Sequence, residues 1–202
     1  EKFKKTFKEN LLNIPKKLKI KELKFIAALD CPRKEIWRNK LYHLYKSNRE
    51  LDDTFLGGPF FALGIQILRD LQIKIINLDN LEADDCIALA TYKLEKLDNN
   101  PKIYIIANDM DYLQLVKDNI KIYNLKFKDL NESKTSTGSA DSNLFCKIII
   151  GDKSDYIQGI FKKCGQKTAL KYFEDKDLFT KQLQKENCYD KYLLNKKIID
   201  FS

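Results

Sequence analysis

The residues best suited to chemistry in this chain are its carboxylates, and their spacing is uneven. NLEADDCIALA, Asn80 to Ala90, sets Glu82, Asp84 and Asp85 within four residues and then turns apolar. Asp30 closes the apolar run LKFIAAL, Asp109 and Asp111 follow IYIIA, and Asp152 and Asp155 frame GDKSD. Taken singly, such an acid is also explained by a helix start, where a negative side chain gains roughly 0.3–1 kcal/mol from the helix dipole. Asp79, Asp129 and Asp141 read that way. Eight acids at strand ends and helix mouths ask for more. Converging carboxylates repel and raise one another's pKa unless cations neutralise them. An all-oxygen cluster suits hard ions, Mg²⁺ foremost with Mn²⁺ able to substitute, held by a few carboxylates and several waters. In a basic protein this is the profile of two-metal phosphodiester hydrolysis, with one ion generating hydroxide and both stabilising the attacking and leaving oxygens.

Bringing these acids together takes a particular scaffold. Phe3, Phe7, Leu11 and Leu12 recur at helical spacing among lysines, predicting an amphipathic basic helix over residues 1–13 that ends near Pro15. Short apolar runs predict strands at Leu23–Leu29, Ile73–Leu78, Ile103–Ala107 and Ile120–Leu125. Helices are expected at Phe60–Leu71, Leu81–Leu97 and, briefly, Asp111–Val116, and in parts of the charged, aromatic segment 31–56. Strands alternating with helices predict an α/β fold with a parallel sheet. In such a sheet ligands collect at the carboxyl ends of the strands, where Asp30, Asp109 and Asp111 lie, with Glu82, Asp84 and Asp85 just beyond. The polar stretch Asn131–Asp141 separates this α/β part, residues 1–130, from a helical part over 131–202.

Bulk properties narrow the class. The 202 residues are 44% hydrophobic and 33% charged, a globular composition. No apolar run nears the roughly 20 residues of a membrane span, and no signal peptide is visible. Five cysteines, an odd number without a CxxC pair, argue against a disulfide framework or zinc site and for a reducing, intracellular setting. The net charge of +8 favours a polyanionic partner, although lysine-rich composition alone also produces it. The lysine and asparagine bias would suit an AT-rich genome, viral ones included.

Four stretches in order, LDCPRKEIWRNKLYHLYKSNR, LEADDCIALA, IIANDMDYLQLV and GDKSDYIQGIFKKCGQKTALKYF, resemble the 5′-nuclease superfamily: flap endonucleases, the 5′-nuclease domains of bacterial DNA polymerases I and phage 5′→3′ exonucleases. The T-even phage ribonuclease H is similar in look. The resemblance implies a PIN-like parallel sheet flanked by helices, a helical arch over about residues 32–56 and a C-terminal helix–hairpin–helix, within a helix–three-turn–helix element. It implies metal roles for Glu82, Asp84, Asp109 and Asp111, for Asp30 and Asp85, and for Asp152 and Asp155 at a second ion. Arg38 and Lys46 match basic residues that contact the scissile phosphate, and a cation there offsets developing charge. Trp37, Tyr42 and Tyr45 either stack on unpaired bases, at roughly 1–3 kcal/mol per base, or pack the arch helix. His43 reads as a surface or stacking residue. Gly159 and Gly165 bracket the hairpin, where backbone N–H groups can approach a phosphate, and Lys162, Lys163, Lys167 and Lys171 add contacts to the nucleic-acid backbone. Between them stands Lys-Lys-Cys, one residue longer than the usual hairpin.

The family's first strand, with its Asp, has no counterpart in the sequence, so a fragment is expected, short at its C-terminal end too. The reading is a monomeric Mg²⁺-dependent structure-specific 5′ nuclease acting on flapped, nicked or 5′-ended DNA, with RNA–DNA hybrids as a further substrate. The alternative is a DNA-binding module that keeps the fold without the chemistry. A PIN-type ribonuclease shares the acidic core but should lack the GDKSD hairpin.

Overall fold

The computed structural model describes residues 1–49, 57–97 and 99–202; residues 50–56 of the expected arch lie outside them. The chain divides into two compact units. The first comprises residues 1–35 and 50–87, the second residues 36–49 and 88–202.

In the first unit α1 (Lys2–Leu18) packs on α3 (Gly58–Asp70). Phe3, Phe7, Leu11, Ile14 and Leu18 repeat at three- and four-residue steps and, with Pro15, are the half-buried positions of α1, with lysines outside them. Phe3 meets Phe60 edge-on at 5.0 Å. The helix runs through Pro15 and ends three residues later, past the predicted stop. Proline removes one N–H near the end, where few intrahelical bonds remain to be lost. Lys19 at φ 56° then closes the helix through N–H bonds from Lys19 to Lys16 and from Ile20 to Pro15. Strands β1 (Ile26–Ala28) and β2 (Lys74–Ile76) pair in parallel, Ile26 opposite Lys74, with α3 in the connection between them.

Helix α4 (Ala83–Glu95) begins in the first unit and ends in the second. The second unit holds another parallel pair, β3 (Ile103–Ile106) and β4 (Ile120–Tyr123), with Ile103 opposite Ile120. A six-residue 3₁₀ segment, Met110–Leu115, connects them; the short helix expected at this place is therefore tightened to 3₁₀. All four strands are shorter than their apolar runs. Short α2 (Arg38–Leu41) belongs to this unit, as do α5 (Ala140–Ile150), α6 (Gln166–Glu174), α7 (Lys176–Glu186) and α8 (Tyr189–Ile199). Ile120, Ile122, Ile149 and Ile198 are almost wholly buried. Beside them Phe145, Phe161, Tyr172, Phe173, Phe179 and Tyr192 form a cluster with ring centroids 5.0–6.2 Å apart, edge-on and tilted geometries that aromatic rings favour. The architecture is α/β with parallel strands and many helices. Among the described residues, no helix is long and apolar enough to cross a membrane.

Candidate metal centre

In the first unit the acids surround the start of α4. Asp30, two residues past β1, accepts the Ala83 N–H on Oδ1 at 2.7 Å, and Asp85 Oδ2 accepts the Glu82 N–H at 3.0 Å. Both carboxylates thus cap the exposed donors of a helix N-terminus. The Asn77 amide donates to the carbonyls of Leu29 and Asp30 and fixes the end of β1. Glu82 and Asp85 are buried, at 4% and 8% exposure, so their negative charge sits in a poorly solvated place. Two thiols register it. Burial, then Glu82, Glu35 and Asp30, push the Cys31 thiol up; burial, with Asp85 and Asp30, does the same to Cys86. An open groove of about 710 Å³ runs past Asp30 along Leu29, Phe61, Ile65 and Asn77.

In the second unit the geometry is tighter. Asp109, three residues past β3, caps the 3₁₀ segment by accepting the Asp111 N–H at 2.8 Å. Asp152 opens a tight loop closed by paired backbone bonds between Asp152 and Ile157, 2.8 and 2.6 Å. The loop leaves α5 through Gly151 at φ 78°, where an added Cβ would lie 2.4 Å from the Ile157 carbonyl, so glycine is required. Carboxylate oxygens of Asp111, Asp152 and Asp155 all lie within 4.8 Å of one another. At that separation each unscreened pair costs on the order of 3 kcal/mol at an effective dielectric near 20.

Cations hold the trio together. The Lys147 ammonium, in the last turn of α5, donates to Asp111 Oδ1 and Asp152 Oδ2. Asp155 is bonded by the Arg49 guanidinium, lies 3.8 Å from Lys46 Nζ and accepts the Tyr45 hydroxyl at 3.1 Å. The remaining Asp152 oxygen accepts from Ser154 N–H and Oγ–H, each at 2.6 Å. Burial, with Asp109 and Asp152 nearby, outweighs Lys147 and pushes Asp111 up to about 6. Burial also raises Asp155, with Lys46 and Arg49 opposing. For Asp152 burial is overcome by the Lys147 and Ser154 bonds, and its carboxyl is held low. Lys147 itself is raised, its burial outweighed by Asp111 and Asp152. Three carboxylates so placed fit a hard divalent cation in donor type and spacing.

The basic and aromatic residues of segment 36–49 lie around the same loop. Tyr42 donates to the Tyr156 carbonyl at 3.1 Å, Asn48 to Lys153, and the Lys46 N–H to Asp155 O. Tyr45 is 7% exposed, so it offers no open face to a base here; its ring centroid lies 5.9 Å from the Arg38 guanidinium and 5.0 Å from Lys46 Nζ. Arg38 is 3% exposed, with Nε on the Ile198 carbonyl at 2.7 Å and its guanidinium over Trp37. His43 is exposed.

Farther along, Lys162, Lys163, Lys167 and Lys171 are all exposed, around a turn in which Lys163 has φ 54°. Gly165 is the N-cap of α6, with open space where a Cβ would stand. Gly159 has a packing reason of its own: an added Cβ would lie 2.5 Å from the Ile150 carbonyl.

Sequence reasoning missed Lys147 and Arg49. Lys147 did leave a signal: a lone lysine inside FCKIII, on a helix whose neighbours are buried, needs carboxylate partners. Arg49 left none among the many charges of its segment.

A family model described as the 5′-3′ exonuclease, N-terminal resolvase-like domain, matches residues 4–148. The 5′-3′ exonuclease of Buchnera aphidicola from Acyrthosiphon pisum is 34% identical over 157 residues, covering 75% of this chain and 53% of that protein. Ribonuclease H of enterobacteria phage T4 is 28% identical over 156 residues, 73% of this chain and 50% of the other. The chain therefore spans about half the length of the curated relatives it matches. Among solved structures, a T5 5′-exonuclease with bound zinc superposes with a TM-score of 0.76 at 17% identity, covering 100% of this chain and 82% of that one. A phage T5 flap endonuclease in complex with DNA and metal ions gives 0.75 at 16%, over 98% and 81%. At such identities the likeness speaks for the fold, while the family model covers most of the chain and carries the assignment: this protein belongs to the 5′-3′ exonuclease family.

Proposed function

We propose that the chain is the nuclease part of a divalent-metal-dependent 5′ nuclease, a 5′→3′ exonuclease or flap endonuclease that hydrolyses phosphodiesters in 5′-ended, nicked or flapped DNA. The observation that carries the reading is the meeting of Asp111, Asp152 and Asp155 oxygens within 4.8 Å in a basic protein. Mg²⁺ is the ion proposed, as two ions, with Mn²⁺ as a substitute. Asp111, Asp152 and Asp155 would hold one together with Asp109; Asp30, Glu82, Asp84 and Asp85 are the other acidic group proposed to serve metal binding. When bound, such ions supply a hydroxide-generating Lewis acid and charge stabilisation at the reacting phosphate.

The protein's own part is orientation and charge. Asp109 fixes the backbone of Asp111, and Ser154 fixes one oxygen of Asp152. Tyr45 and Arg49 hold Asp155 in place. Lys46 is proposed to bind the phosphate to be cut, with Arg38 packed behind Tyr45 as its support. Tyr42 is the residue of this segment proposed to stack on an unpaired base. The exposed lysines 162, 163, 167 and 171, with the N-terminus of α6 at Gly165, are proposed to grip the duplex backbone without regard to sequence, as a helix–hairpin–helix would. A monomer acting also on RNA–DNA hybrid stays within the proposal, as do a division of roles at residue 131 and an intracellular site of action. The T5 relative crystallised with DNA and metal ions shares the fold and supports this reading.

The test is incubation of the chain with a 5′-flap duplex in Mg²⁺, beside an EDTA control and Asp111→Ala. Cleavage in Mg²⁺ alone, abolished in Asp111→Ala with DNA binding kept within a few-fold, is expected. Binding that persists in EDTA with no cleavage under any condition would favour a DNA-binding module instead.

A further inference from the structure

The acidic trio of the second unit is charge-balanced by the protein itself. Lys147 Nζ bonds two of the three carboxylates at once, through Asp111 Oδ1 and Asp152 Oδ2. The other Asp152 oxygen is committed to Ser154 N–H and Oγ–H. An ion approaching Asp152 therefore meets one oxygen held by the loop and one held by the ammonium. Lys147 reaches this place from the last turn of α5, where the helix dipole favours a cation, and its side chain is only 27% exposed.

We propose that Lys147 is the resident counter-cation of this centre and that a divalent ion enters by exchange with its ammonium. The inference rests on the metal reading given above. In the metal-free protein the lysine offsets carboxylate repulsion that would otherwise oppose folding. In the loaded protein a doubly charged ion takes over Asp111 and Asp152, and the ammonium, now beside a like charge, swings toward solvent. Part of the ion's binding free energy is spent on breaking two charge-assisted bonds. The exchange thus weakens metal affinity while keeping the empty centre intact.

The consequence has an unusual sign: removing the lysine tightens metal binding. Mn²⁺ titrated calorimetrically into the full chain at neutral pH should bind Lys147→Met at least tenfold more tightly than wild type, equivalent to about 1.4 kcal/mol. Lys147→Arg, which keeps a cation, should stay near wild type. In EDTA Lys147→Met should melt below wild type and recover in Mn²⁺, whereas a merely structural lysine would leave the same deficit in both. The wild-type chain gives a second readout that needs no variant. Mn²⁺ should raise the acylation rate of Lys147 severalfold by mass spectrometry and leave that of exposed Lys126 unchanged. Mn²⁺ binding equal or weaker in Lys147→Met, or an unmoved Lys147 acylation rate, overturns the exchange while the metal site stands. No Mn²⁺ binding by wild type overturns the metal reading and the exchange with it.

Discussion

Gly159→Ala separates packing from nucleic-acid contact at the start of the lysine-rich turn. An alanine Cβ at this position lies 2.5 Å from the Ile150 carbonyl oxygen, 3.2 Å from its carbon and 3.4 Å from the Ile149 oxygen. Ordinary contact begins at 3.4 Å, so the strand of chain must retreat by about 0.9 Å from the end of α5. It is not free to do so. The Ile160 N–H bonds the Ile149 carbonyl at 2.8 Å, and the buried Asn195 amide bridges the carbonyls of Ile148 and Gln158 at 3.0 and 2.9 Å. Overpacking of this kind costs about 1–3 kcal/mol, and weakening the Ile160 bond adds roughly 0.5–1.5 kcal/mol. A total near 3 kcal/mol lowers Tm by roughly 6–12 °C in a chain of this size. Gly165→Ala is the control: nothing lies within 4 Å of its added Cβ, and an N-cap change of this type costs about 1 kcal/mol or less. Urea denaturation of both variants measures the difference through the midpoint at constant slope. Losses that agree within about 0.5 kcal/mol would refute the packing argument and leave Gly159 to nucleic-acid contact alone.

Other expectations follow from the same geometry. Tyr45→Phe removes a hydroxyl donor from a buried carboxylate; with Arg49 and Lys46 still in place the loss in EDTA should be about 1–2 kcal/mol by urea denaturation, and a neutral variant would show that Asp155 is held by the cations alone. In the metal-free protein Asp111 stands at about 6, above its unfolded 3.8, so its share of stability is full below pH 4 and is lost as pH rises through 6. Metal binding needs the carboxylate and runs oppositely: Mg²⁺ affinity by calorimetry should fall below pH 6 by up to tenfold per unit, and an affinity flat from pH 7.5 to 5 would contradict the assignment of Asp111. Lys163→Ala should weaken DNA binding alike on all sequences and reduce the slope of log affinity against log salt by about one; an unchanged slope removes that contact.

Much of the architecture was legible in the sequence because it is written in local signals. Apolar runs of strand length ended at acids, and the structure sets Asp30 two residues past β1 and Asp109 three past β3. The dense acids of LEADDC open a helix, as their types require. What the sequence withheld depends on contacts far apart along the chain. The pairing of Lys147 with Asp111 joins residues 36 positions apart, and that of Arg49 with Asp155 spans 106. No periodicity reports such distances. Tyr45 and Arg38 belong to an exposed-looking charged segment, yet both are buried, because the loop after α5 and the end of α8 supply their partners. Gly159 read as a turn glycine, while its closest constraint is the Ile150 carbonyl. Helix α1 outlasted its proline because only its final turn had to do without the missing N–H.

The metal centre is tested most directly by locating Mn²⁺ through its anomalous scattering in crystals of the chain. A peak bonded by carboxylate oxygens of Asp111, Asp152 and Asp155, with Lys147 turned away, is the expected result. Crystals that take up Mn²⁺ elsewhere, or take up none while Lys147 still bridges Asp111 and Asp152, would contradict it.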